Sequence, residues 1–127
     1  MIERLQVPSR PESKLYSPIV RARGLVFVAG QTSRDSSGKI VHAGNFALQA
    51  DQVFENLKEA LATVGLSLKD LLQITIYVTD PRFRNDLRSI TIKHMADHLP
   101  ASTLVVVAGL AEPEFLIEID AIAADHV

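Results

Sequence analysis

From Phe46 to Val64 the apolar residues Phe46, Ala50, Val53, Phe54, Leu57, Leu61 and Val64 recur at the i, i+4, i+7, i+8 interval of a helix. A few residues on, Leu72, Ile74, Ile76 and Val78 alternate with Gln73, Thr75 and Tyr77, the period of a half-buried strand. This change of period constrains the chain more than any other feature, because an amphipathic helix and a one-sided sheet must cover each other. Asn45 is placed to cap the helix and Gly65 to stop it.

Upstream, Ile19 to Arg21 and Leu25 to Ala29 read as a hairpin joined through Arg23-Gly24, followed by Gly30-Gln31 and a polar loop containing Ser36-Ser37-Gly38. Pro8 and Pro11 make the stretch from Pro8 to Lys14 irregular. Downstream, Thr79 or Asp80 caps a second helix with Pro81 at its first position. Its apolar stripe is Phe83, Leu87, Ile90 and Met95, and it must stop before Pro100. Thr103 to Ala108 forms one closing strand. After a turn around Glu112-Pro113, Phe115, Ile117, Ile119 and Ala121 alternate with Leu116, Glu118, Asp120 and Ile122 as another. Two helices cover only one face of a five- or six-stranded sheet, so the opposite face needs a partner. Self-association supplies it most simply, and the clefts between copies are natural ligand sites.

A chain of 127 residues, 47% of them apolar, is read as one domain spanning 1–127 with an ordinary core. Thirteen Lys and Arg stand against 15 Asp and Glu, a net charge of -2. No global positive field therefore draws the chain to nucleic acid or anionic lipid. The absence of cysteine removes disulfides, thiolate catalysis and Cys-based zinc sites. Met1 to Leu5 lacks a signal-type apolar region, and no run reaches the roughly eighteen apolar residues of a membrane span, so the expectation is a soluble cytoplasmic protein.

Glu118 interrupts an apolar strand. Either it faces solvent or an ion-pair partner, or it is a functional carboxylate. Tyr16 is a loop anchor or a donor at a pocket mouth, and Gly30 serves a turn or a close ligand approach. His94 and His98 share the i, i+4 spacing of a zinc pair, but no third ligand is evident and no metal is expected. Arg82, Arg84, Arg88 and Lys93 make the second helix basic, either as a solvated face or as part of an anion site. No Ser/His/Asp signature, P-loop or dinucleotide turn is present, and no cofactor is expected. The residues alone give an oligomeric α/β (α+β) domain without a named reaction.

Four segments carry a resemblance: Leu25-Val26-Phe27-Val28-Ala29-Gly30-Gln31, Gln52 to Lys58, Ile74 to Asp80, and Ile117 to Ala123. In this order they resemble the RidA/YjgF family over nearly the whole chain. The resemblance implies a chorismate-mutase-like fold, a six-stranded mixed sheet with two helices on one face. It also implies a homotrimer with a central barrel and ligand clefts between subunits. In the family's deaminases an arginine in a Pro-Ala-Arg-Ser/Thr motif clamps the carboxylate of a 2-imino or 2-enamino acid, and a glutamate in the last strand positions water. Glu118 matches that glutamate, Tyr16 the cleft tyrosine and Gly30 the glycine, with Ala29 replacing the usual serine. Leu104 follows as a wall of the same cleft.

The departure is Pro100-Ala101-Ser102-Thr103, where Ser102 holds the arginine's place. A hydroxyl cannot make the bidentate ion pair. Charge-assisted hydrogen bonds worth about 1.5–3 kcal/mol each are lost, weakening carboxylate capture at least ~10- to 100-fold. Arg88, where many relatives carry asparagine, is a candidate replacement, and Arg21 is the other arginine whose direction matters. Three functions compete: hydrolysis of an imine or enamine other than a standard 2-imino acid, a non-catalytic metabolite-binding trimer, and, ranked last on charge and aromatic content, an endoribonuclease or translation inhibitor.

Overall fold

The computed structural model describes residues 1–126. Six strands, β1 (Glu3–Leu5), β2 (Ile19–Ala22), β3 (Leu25–Gln31), β4 (Leu71–Val78), β5 (Ala101–Val106) and β6 (Ile117–Ala124), form one mixed sheet in the order β1-β2-β3-β6-β4-β5. All neighbours are antiparallel except β4 and β5, which run parallel as a crossover through a helix requires. The last strand thus enters the middle of the sheet, between β3 and β4. That gives β6 a partner on each side along its length.

The two helices, α1 (Phe46–Thr63) and α2 (Arg84–Met95), pack on one face. Asn45 caps α1 by accepting from Leu48 N at 3.0 Å, and Gly65 follows its end with φ 75°. Phe54, Leu57 and Leu61 of α1 are fully buried against Val26, Ile74, Ile117 and Ile119 of the sheet. Period-two alternation sends Glu118, Asp120 and Ile122 of β6 to the opposite face, with Tyr77 paired to Glu118, Thr75 to Asp120 and Phe27 to Ile122. Among the described residues no helix covers that face, and Phe27 is 40% exposed there.

A buried amide fixes the entry to β6. Gln49 of α1 donates to Glu114 O at 2.8 Å and His42 O at 3.2 Å, and its Oε1 accepts from Leu116 N at 2.9 Å. These bonds tie the turn two residues before Glu118 to the core helix.

Several details differ from the sequence expectations. Leu72 is 48% exposed and Leu71 is buried in its place, because an irregularity between Leu71 and Gln73 shifts the register against β6. The second helix opens as a 3₁₀ turn, Pro81–Phe83, capped by Asp80, before α2 proper begins. α2 ends at Met95 with Ala96 at φ 52°, so His98 lies beyond the helix and the i, i+4 histidine pair does not form. His94 instead stacks on Phe54 at 4.8 Å and meets Asp51 at 2.8 Å. The amino-terminal β1 pairs with β2 although three residues carry too short a pattern to read. The proline-containing stretch is irregular as expected but anchored. Arg10 donates to Glu59 at 2.6 Å, to Asn56 at 2.5 Å and to Asp35 O at 2.9 Å.

Candidate functional site

Glu118 is the second residue of β6 and lies on the face without helices, half-buried, with its carboxylate against Gly30. A Cβ built on Gly30 would lie 2.8 Å from Glu118 Cδ and overlap a carboxylate oxygen. Gly30 is not in the left-handed region. The glycine is not needed for a turn's backbone angles; the side chain that approaches it within this chain is Glu118. The bulge between Val28 and Gln31 brings the two together.

The surroundings of Glu118 are acidic. Asp120 lies two residues along the same face, and Tyr77 Oη donates to Asp120 Oδ2 at 3.1 Å. Burial, and secondarily the charge of Asp120, hold the Glu118 carboxyl above its ordinary 4.5. The hydrogen bond to Asp120, with burial, raises the Tyr77 phenol above its usual 10.0. No cation pairs with Glu118 among the described residues, which leaves a partly desolvated carboxylate with raised proton affinity on the uncovered face.

Tyr16 is 61% exposed and faces a cleft of about 330 Å³ that also includes Gly30, Thr32, Arg10 and Arg34. Arg10 is consumed by Glu59, Asn56 and the backbone carbonyls of Arg34 and Asp35, and Arg34 donates to Gly38 O at 2.9 Å while lying 5.1 Å over the Phe115 ring. Ala29 is held in the backbone by Pro18 O, to which its N–H donates at 2.9 Å.

The other predicted residues lie elsewhere. Ser102 and Leu104 of β5 pair with Ile74 and Ile76, whose side chains point to the helical face. They share a groove of about 730 Å³ with Arg88, Arg84 and Thr91 of α2. Arg88 and Ser102 therefore line one groove. Arg21 does not join them, since it is locked to Asp125 by two hydrogen bonds of 2.7 and 3.0 Å. Within one chain, Glu118 and Ser102 are on opposite faces of the sheet, and the cleft holding Gly30 and the groove holding Ser102 have no residue in common. Sequence reading missed Tyr77 and Gln49. The alternation of Tyr77 with Ile76 was a signal for the first, but a buried glutamine on an apolar helix face gives none.

The strand order and the two helices on one face define a chorismate-mutase-like α+β domain with a carboxylate on its uncovered face and an arginine-lined groove at its edge. The model of the family described as Endoribonuclease L-PSP matches residues 8–125, and the chain belongs to this RidA/YjgF family. A RutC family protein of Pyrococcus horikoshii is 35% identical over 109 residues, covering 85% of each chain. The 3-aminoacrylate deaminase RutC of Acinetobacter baylyi is 32% identical over 108 residues, again 85% of each. The crystal structure of RidA from the Antarctic bacterium Psychrobacter superposes with a TM-score of 0.87 at 27% identity, covering 96% of this chain and 98% of that one. Among the described residues no helix is long and apolar enough to cross a membrane.

Proposed function

We propose that this chain is a cytoplasmic homotrimer that hydrolyses a small imino or enamino acid in a cleft between copies. Glu118 handles the proton and Arg88 binds the carboxylate that an arginine at residue 102 would otherwise bind. The observation that carries the reading is the placement of Arg88 in one groove with Ser102 and Leu104. A guanidinium from the opposite wall restores the bidentate donor that Ser102 cannot provide.

The two halves face apart within one chain, so a second copy must complete the site. The uncovered sheet face, with Phe27 and Ile122, offers apolar area for that association. Glu118 takes a proton from water as the oxygen attacks the C=N carbon and delivers it to the nitrogen, giving the carbinolamine. The carboxylate then takes the carbinolamine hydroxyl proton and passes it to the amino nitrogen as C=O forms and the C–N bond breaks, leaving the oxo acid and ammonia. A carboxyl held above its ordinary pKa suits both transfers near neutrality. The relative named for 3-aminoacrylate deamination supports an enamino acid as one member of the substrate class.

Ser102 also favours a second reading, in which the cleft binds a metabolite without turning it over. The ribonuclease activity in the family's description finds little support in a chain of net charge -2. The deciding experiment measures oxo acid and ammonia from 2-iminobutanoate generated in situ, for the native chain, Arg88→Gln, Ser102→Arg and Glu118→Ala, with mass by sedimentation. Native activity lost in both Arg88→Gln and Glu118→Ala is expected. A silent native chain that gains activity in Ser102→Arg would establish the binding reading instead.

A further inference from the structure

Four basic residues follow Asp80 along the second helical segment, and they divide into two kinds. Arg82 meets Asp80 at 2.6 Å and Lys93 meets Asp51 at 3.0 Å. Arg84 and Arg88 have no carboxylate within 4.0 Å among the described residues, and both line the groove over Ser102. They are one helical turn apart, where like charges repel. The remaining polar lining, Asn85, Thr91 and Ser102, is neutral, and among the described residues no acidic side chain lines the groove. Its floor is apolar, with Leu104 39% exposed. The basic side chains directed elsewhere have found carboxylates, whereas the two in the groove share a site that lacks one.

One arginine suffices for the carboxylate next to an imine carbon. A second fork beside it, in a groove without an acid, calls for a second anionic group on the same molecule. We infer that the groove selects a short dicarboxylate, so that the substrate is the imine or enamine of an acidic amino acid, with Arg88 on one carboxylate and Arg84 on the other. The inference rests on the reading that this groove receives the substrate's carboxylate.

The test titrates the intact protein with succinate, butanoate and inorganic phosphate at low ionic strength. It then compares hydrolysis of the imines formed in situ from aspartate and from 2-aminobutanoate. Succinate should bind at least about tenfold more tightly than butanoate, and Arg84→Gln should collapse that preference. Arg82→Gln, whose side chain is tied to Asp80 outside the groove, should retain it. Equal binding of the two acids, tighter binding of phosphate, or a preference indifferent to Arg84→Gln overturns the inference, while turnover of 2-iminobutanoate would leave the hydrolytic reading standing. A succinate preference that depends on Arg84, with neither imine turned over, keeps the dicarboxylate groove and overturns hydrolysis.

Discussion

The carboxylate of Glu118 fills the space that any side chain on Gly30 would need. Gly30→Ala must therefore displace Glu118 or push β3 from β6, an overpacking cost of about 1–3 kcal/mol. Thermal melting and the imine hydrolysis assay should fall together. An alanine variant with native melting temperature and native rate would show that Glu118 has room to spare.

Glu118→Gln should separate stability from activity. The folded pKa of Glu118 is raised above 4.5, so its contribution to stability is fully present below the unfolded value and is lost as pH rises through the folded one. At pH 7 the native chain bears the cost of an ionised, partly buried carboxylate, and the amide does not. Denaturant midpoints should favour Glu118→Gln at neutral pH, with the gap closing below about pH 4, while hydrolysis is abolished. A variant less stable than the native chain at pH 7 would contradict this.

Gln49→Leu should cost about 2–3 kcal/mol, because Glu114 O, His42 O and Leu116 N lose their buried partner. Urea unfolding measures it directly. Since the bonds lie beside the start of β6, the surviving folded protein should also show a lowered kcat.

Asp125 carries the opposite sign from Glu118. The hydrogen bonds from Arg21 hold its carboxyl below the ordinary 3.8. Its contribution is present above the unfolded value and is lost as pH falls through the folded one. Asp125→Asn should lower the melting temperature at pH 7 and flatten its dependence on acid between about pH 5 and 2. Parallel acid titrations of the two proteins would count against the pair.

Much of the architecture was legible in the chain because the strongly periodic segments are also the ones that pack. The stripe ending at Val64 gave α1, and the alternation about Ile119 gave both faces of β6. Leu72 was misread because a register irregularity breaks the period without leaving a glycine or proline to mark it. Glu118 and Gly30 were noticed separately, yet their mutual exclusion of space depends on a bulge and on β6 inserting beside β3, which no local pattern encodes. Arg88 was noticed too, but its direction depends on how α2 sits over β5.

The two parts of the candidate site differ mechanically. Glu118 belongs to an interior strand laddered on both sides, whereas Arg84 and Arg88 project from an exposed helix surface over the edge strand β5. Substitutions among the arginines disturb little packing, and substitutions around the carboxylate disturb the sheet itself. On the proposed function, selectivity is free to drift over evolutionary time while the reaction is conserved, so paralogues built on this sheet should diverge in what they accept long before they diverge in what they do to it.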